Sequence, residues 1–172
     1  MSTTLPRNPE NTTAVLDVSG YRVTRRAWVA ADPGRAYDLL STVSNIGRWS
    51  PDAIRAQYEE GAGAWAGAWF RGRNRREGAE WDSRSQVQEA VRGAEFTYTV
   101  LGSASVPVVR WRWTFTPDGS GTLLTQTWQL LEADPVLGST YTELDTLRDV
   151  TAGSMEDTLV ALARWVFDNP AV

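Results

Sequence analysis

The 172-residue chain contains no cysteine, no histidine and no lysine. The missing cysteine excludes disulfides and thiolate metal sites. The missing histidine removes the commonest metal ligand and the usual acid/base at neutral pH, so a Ser-His-Asp triad and histidine-based zinc motifs are excluded. The missing lysine excludes Schiff-base chemistry and a phosphate-loop lysine. No metal and no cofactor are expected, and catalytic residues stay unassigned: chemistry would fall to carboxylates, Tyr, Arg, Ser or the substrate itself. No run approaches the ~18–20 apolar residues of a membrane span, so membrane insertion is not expected. The opening MSTTLPRNPENTTAVL lacks a basic stretch followed by an apolar one, and the expected setting is the cytoplasm.

What is present is acidic and aromatic. All 17 basic residues are arginine, against 21 acidic ones, and the formal net charge is −4. That balance weighs against a general polyanion binder. The nine tryptophans imply either a large core or an aromatic-lined cavity. The length suits one domain. Residues 1–19, polar and aperiodic, read as a loose tail, and residues 20–168 as a single domain. Asn11-Thr12-Thr13 matches a glycosylation sequon, which has no meaning without secretion.

Tyr21 to Ala30 reads as a strand. Asp32-Pro33 then starts a helix, with a capping carboxylate and a proline in the first turn. A second short helix covers Asn45 to Ser50, and Ile54 to Glu60 is a second strand. Strand follows strand from Trp69 to Leu131, punctuated by Gly78, Gly93, Gly102 and Asp118-Gly119. Leu144, Leu147, Thr151, Met155, Leu159, Leu162 and Val166 then recur at three- and four-residue steps, the mark of a long amphipathic helix. The order is strand, two short helices, about six strands and one long helix. A curved antiparallel sheet gripping that helix can leave a cavity between them.

WFRGRNRREGAEW (residues 69–81) crowds Arg71, Arg73, Arg75 and Arg76 into six positions. Side chains alternate faces along a strand. With Glu77-Gly78 as a two-residue hairpin loop, Arg75 opposes Glu80, Asn74 opposes Trp81, Gly72 opposes Ser83 and Phe70 opposes Ser85. One face carries Phe70, Gly72, Asn74, Trp81, Ser83, Ser85 and Val87. The other carries Arg71, Arg73, Arg75, Glu80, Asp82 and Arg84. The arginines therefore read as the hairpin's solvated side, not a nucleic-acid strip. With Arg92-Gly93 as the next loop, Val87 faces Tyr98, Ser85 faces Val100 and Glu89 faces Phe96. A Gly119-Ser120 loop sets Trp113 opposite Gln126 and Trp111 opposite Trp128. The inner surface is aromatic with neutral polar groups: Asn74, Ser83, Ser85, Tyr98 and Gln126. A packed core seldom holds so many polar side chains without partners, whereas a pocket does.

Several segments resemble one known family. They are Ala31-Asp32-Pro33, Tyr37 to Ser41, Val43 to Asp52 with its W-S-P-D run, Phe70 to Arg75 with its F-x-G-x-N run, Trp81, Val87, and Gly121-Thr122 through Trp128. In order and spacing they resemble the polyketide cyclase/dehydrase branch of the SRPBCC (START-like) superfamily, in an actinobacterial subgroup, over roughly residues 21–167. The resemblance implies an α+β helix-grip fold, with a curved seven-stranded antiparallel sheet around the C-terminal helix and two short helices between strands 1 and 2. Family members bind lipids, steroids, hormones or polyketides, and some cyclise or dehydrate polyketide chains, with an inward arginine and tyrosines as usual participants. Here parity turns the central arginines outward, leaving Tyr98, Ser83, Ser85 and Asn74, and Glu89 nearer a strand end, as inward candidates.

The expected function is binding of a hydrophobic small molecule; the alternative is a polyketide aromatase/cyclase. A protein-interaction module would need a large exposed apolar patch, which the sequence does not show. The expected ligand-binding residues are Trp49, Phe70, Asn74, Trp81, Ser83, Ser85, Tyr98, Trp111, Trp113, Gln126, Trp128, Met155 and Leu159. Trp49 would lie over the cavity entrance or the base of the helices. Asp52 would sit at the mouth, as a turn residue or as an acid/base. No nucleic-acid partner is expected, and the protein is expected to be a monomer or homodimer. Parity sets the first test: Asn74→Leu should alter binding of an apolar ligand in a tryptophan-fluorescence titration, while Arg73→Gln should leave it nearly unchanged.

Overall fold

Alternating apolar and polar residues build seven strands. In the computed structural model, which describes residues 15–171, they are β1 (Arg22–Val29), β2 (Ala53–Tyr58), β3 (Trp69–Arg76), β4 (Ala79–Val91), β5 (Glu95–Leu101), β6 (Pro107–Asp118) and β7 (Gly121–Leu130). They form one curved antiparallel sheet in the order β1-β7-β6-β5-β4-β3-β2. Strands β2 to β7 are a plain meander, and β1 returns to pair with β7. Strands β1 and β2, adjacent in sequence, therefore lie at opposite edges. The chain crosses between them through α1 (Pro33–Ser41) and a 3₁₀ helix (Val43–Arg48). Asp32 caps α1, its carboxylate accepting from the Arg35 amide at 3.0 Å, and Pro33 takes the first helical position. This is the α+β helix-grip arrangement.

The long helix α2 (Tyr141–Asp168) covers the concave face. Leu144, Thr151, Met155, Thr158, Leu159, Leu162 and Val166 are buried along one stripe, as the three- and four-residue spacing requires. A reciprocal cap starts it: the Thr140 hydroxyl accepts from the Glu143 amide at 3.2 Å, and the Glu143 carboxylate accepts from the Thr140 amide at 3.1 Å.

The hairpin registers follow the turn chemistry. Glu77 and Gly78 both have positive φ, 50° and 81°, as a two-residue loop of the primed type demands. Arg75 faces Glu80, Asn74 faces Trp81 and Phe70 faces Ser85. Trp113 faces Gln126 and Trp111 faces Trp128. The β4–β5 turn departs from expectation. Val91 pairs with Glu95, so the loop has three residues, with Gly93 at φ 76°. A register shift between Val87 and Glu89 compensates. Val87 still faces Tyr98, but Ala90 takes the place opposite Phe96, and Glu89 pairs with Thr97 and is exposed. The bulge thus removes Glu89 from the inward candidates.

The interior divides into two apolar clusters. One gathers Tyr37, Phe70, Phe96, Phe115, Leu124 and Leu162 toward α1. The other gathers Tyr21, Val109, Trp128, Leu130, Leu144 and Met155 toward the start of α2. Most of the expected tail (residues 1–14, with the sequon) lies outside the described residues. Its final stretch is docked: Val18 is buried, Leu16 packs beside it, and the Asp17 amide donates to the Tyr141 hydroxyl at 3.0 Å. Because the Thr140 cap satisfies an amide nothing else reaches, Thr140→Ala should lower the thermal midpoint by about 2–4 °C in a melting experiment.

Candidate functional site

The two clusters do not meet. Between them, α2 and the concave face enclose a cavity of about 560 Å³. Strands β5 to β7 supply Tyr98, Trp111, Trp113, Gln126 and Trp128; β3 and β4 supply Phe70, Gly72, Asn74, Trp81, Ser83 and Ser85; α2 supplies Leu147, Thr151, Ser154, Met155 and Thr158. Trp49 also lines it, buried and edge-on to Trp165 at 5.8 Å between ring centres. Every expected site residue except Leu159 borders the cavity. Leu159 is buried in the apolar cluster with Phe96 and Phe115, just past Thr158, where the cavity's lining along α2 stops.

The neutral polar groups are not alike. The Asn74 amide donates to the Ser83 hydroxyl at 3.1 Å, so these two partner each other. Gly72 makes room for them, since a Cβ there would lie 2.8 Å from the Ser83 oxygen. The Tyr98 hydroxyl makes no hydrogen bond to the described residues. Burial, with the neighbouring Tyr58 adding to it, pushes its pKa above the ordinary value of 10, so it is a neutral phenol that can donate or accept. Gln126 is only 6% exposed, and its Oε1 is the one buried side-chain polar atom without a partner among the described residues.

The rim is charged, and there the parity reading needs correcting. Arg71, Arg73, Arg75 and Arg84 do lie outside, paired with carboxylates: Arg71 and Arg84 with Glu59 at 3.2 and 2.8 Å, Arg73 with Glu80 and Asp82 at 2.8 and 3.1 Å, Arg75 with Glu80 at 3.8 Å. Arg76 does not. It continues the series Phe70, Gly72, Asn74 and lines the cavity, gripping Asp52 with two bonds of 2.6 and 3.3 Å. The signal was present in its even position, two residues past Asn74. Asp52 also accepts from the Ser154 hydroxyl of α2 at 2.5 Å. Burial works to raise the Asp52 pKa, but the Arg76 and Ser154 hydrogen bonds and the Arg76 charge outweigh it, and the carboxyl is held below its ordinary value. At neutral pH it is an ionised, partnered anion rather than a proton donor.

The W-S-P-D segment owes its place to a close approach. The 3₁₀ helix lies on the irregular start of β2, where a Cβ at Gly47 would stand 2.5 Å from the Ile54 carbonyl oxygen. Ser50 then closes the turn, its hydroxyl accepting from the Ala53 amide at 3.0 Å. Trp49 is left facing inward and Asp52 at the rim.

Comparison with known proteins places this geometry. The family model described as polyketide cyclase/dehydrase and lipid transport matches residues 21–166. The solution structure of a polyketide-cyclase-like protein from Corynebacterium glutamicum is 25% identical over 86% of this chain and 91% of its own, with a TM-score of 0.63. A di-domain ARO/CYC of the steffimycin biosynthetic pathway is 18% identical, with a TM-score of 0.68; the match covers 86% of this chain and 51% of that one, so the chain spans about half its length. A protein from Mycobacterium smegmatis is 15% identical over 88% of this chain and 94% of its own, with a TM-score of 0.62. The last two likenesses concern the fold alone. No curated protein sequence matches the chain at a significant level.

The rim pair has a pH signature. Because the folded carboxyl of Asp52 titrates below the ordinary value of 3.8, its contribution is fully present above that value. It is lost as the pH falls through the lower, folded one. Thermal midpoints measured from pH 3 to 7 should show Asp52→Asn less stable than the wild type near neutrality, with the gap closing below about pH 4. A gap constant with pH would contradict this.

Proposed function

The chain belongs to the polyketide cyclase/dehydrase and lipid transport family, and we propose that it binds a hydrophobic, aromatic, polyketide- or lipid-like small molecule in the cavity between α2 and the sheet. The observation that carries this reading is the open space between the two apolar clusters, about 560 Å³ walled by Phe70, Tyr98, Trp111, Trp113 and Trp128. A sequence selected only for stability would close such a gap, because each void forfeits dispersion contacts. The charged lining residues are Asp52 just before β2, Arg55 on β2, and Arg76, Glu77 and Glu80 of the β3–β4 hairpin. There Arg55, Glu77 and Glu80 are exposed and Asp52 and Arg76 neutralise each other. The body of a ligand would therefore meet aromatic and neutral groups. We assign it contacts with Trp49, Phe70, Asn74, Trp81, Ser83, Ser85, Tyr98, Trp111, Trp113, Gln126, Trp128 and Met155, with Leu159 as backing. Residues 20–168 act as the binding unit in this reading, in the cytoplasm, as a monomer or homodimer. The solvent-side arginines, offset by Glu59, Glu80 and Asp82, are read as a wet sheet face and not as a nucleic-acid site. Among the described residues no helix is long and apolar enough to cross a membrane.

A second reading, an aromatase/cyclase acting on a bound poly-ketone chain, is favoured by one observation: Arg76 does face the cavity, beside Asp52. A guanidinium there can stabilise an enolate oxygen as it forms, and a cavity that holds a chain folded can direct which carbons meet. Asp52 opposes this use, since it already occupies Arg76. The carrier reading therefore stands first. Native mass spectrometry of protein purified from its own host should show a retained small molecule. Flat polyphenols should quench the tryptophan fluorescence saturably, because Trp111, Trp113 and Trp128 line the cavity. No quenching at saturating polyphenol would sink the cavity reading. Turnover of a poly-ketone that Arg76→Gln abolishes would favour the enzyme.

A further inference from the structure

We propose that the cavity contains a neutral hydrogen-bonding subsite, formed by the Gln126 amide and the Tyr98 hydroxyl, that selects aromatic ligands bearing a hydroxyl over unsubstituted and carboxylate-bearing ones. This rests on the binding reading above and specifies its ligand.

Gln126 is the central group of this subsite. It is buried on β7 with Trp113 opposite it on β6, and Leu124 and Trp128 flank it on the same face. Its Oε1 finds no donor among the described residues. An unpartnered buried acceptor costs its desolvation, and native structures seldom keep one without a reason. A leucine would suit these neighbours better if packing were the only demand. The side chain lines the cavity while the oxygen itself is turned from its open space, so a rotation of the amide brings it to a partner arriving from outside the chain. A ligand hydroxyl meeting the rotated amide completes the bond that the chain leaves unmade.

Tyr98 supplies the second point of contact. It sits on β5, opposite Trp111, with β6 between it and Gln126. Strands lie about 4.8 Å apart, so the two backbones stand roughly 10 Å apart across the sheet, on the scale of a fused-ring molecule. The indoles of Trp111 and Trp113 lie in that interval and offer it an apolar surface. The Tyr98 hydroxyl is as unpartnered as the Gln126 oxygen, and being neutral it can donate to a ring carbonyl or accept from a second hydroxyl.

Charge decides the exclusion. The arginines of the lining are Arg55 and Arg76, both near the rim, and Arg76 is held by Asp52. A carboxylate brought against Gln126 and Tyr98 would be desolvated with no cation to meet it. A hydroxyl suffers no such penalty.

The test is a tryptophan-fluorescence titration at pH 7 with naphthalene, 2-naphthol and 2-naphthoate. Wild-type protein should bind 2-naphthol about five- to tenfold more tightly than naphthalene, as one net hydrogen bond allows, and 2-naphthoate most weakly. Gln126→Leu should bring 2-naphthol and naphthalene within about twofold of each other, because the hydrogen bond is gone. It should leave naphthalene binding as tight or tighter, and raise the thermal midpoint of the empty protein. Tyr98→Phe reads the same preference independently should Gln126→Leu fail to fold, and must reduce it. A wild type with no preference for the hydroxyl, or a preference that survives both substitutions, overturns the subsite while leaving the binding reading intact. If none of the three probes binds, the binding reading falls and the subsite with it.

Discussion

One helix has to cover a seven-stranded sheet, and the structure is organised around the fact that it cannot fill the space it covers. Both edges of the sheet reach α2. From β1, Arg25 pairs with Glu156 at 2.8 Å, and from the residue just before β2, Asp52 accepts from Ser154 at 2.5 Å. Curling far enough for both edges to touch one helix makes the sheet a deep trough. A helix is about 10–12 Å across with its side chains, too narrow to occupy the trough from end to end. The chain closes one end with α1 and the 3₁₀ helix, and the other with the residues before β1 and the start of α2. The middle stays open.

The distribution of large aromatics follows from that opening. Trp113 belongs to one apolar cluster and Trp128 to the other, while Tyr98 and Trp111 are only partly buried and pack at their margins. Rings of this size bury much area while leaving one face free, so they can finish two cores and wall a cavity at once. Polar groups sort along the same line. Where a partner exists within the chain it is taken, as with Asn74 and Ser83 or Asp52 and Arg76. Where none is found among the described residues, as at Ser85, Tyr98, Gln126 and Thr151, the side chain lines the cavity.

Much of this was legible in the sequence because a β-hairpin with a short loop converts position into face. Once Glu77-Gly78 is read as a two-residue turn, the pairs Phe70–Ser85, Gly72–Ser83 and Asn74–Trp81 follow by counting, and so does the inner surface. The same count placed Trp111 against Trp128. What escaped had two physical origins. The β4 bulge and the third loop residue offset each other, so counting from a two-residue loop still yields Val87–Tyr98 and displaces only Glu89. The rim escapes the count for another reason. Arg76 is adjacent to three solvent-facing arginines, and its parity was obscured by its company. Its partner Asp52 lies 24 residues before it, and Ser154 lies 102 residues after Asp52, and such a meeting has no periodicity to announce it. The docking of Val18 on the start of α2 is likewise tertiary, and its one local cue is the short apolar run Val15, Leu16 and Val18 after a polar stretch.

The two polar features of the cavity bear differently on function. The Asp52–Arg76 pair joins the entry to β2 to the end of β3, and Ser154 ties it to α2, so it has a structural account that needs no ligand. Its presence at the rim is compatible with carriage or with catalysis. Gln126 has no such account. It supports no turn, caps no helix and bridges no edge, and its carbonyl oxygen lies unpaired among tryptophans. Of the groups bordering the cavity, it is the one whose retention is hardest to explain by stability and simplest to explain by a molecule bound there. The nature of the ligand is thus better sought in that amide and the nearby Tyr98 hydroxyl than in the arginine run that dominates the sequence.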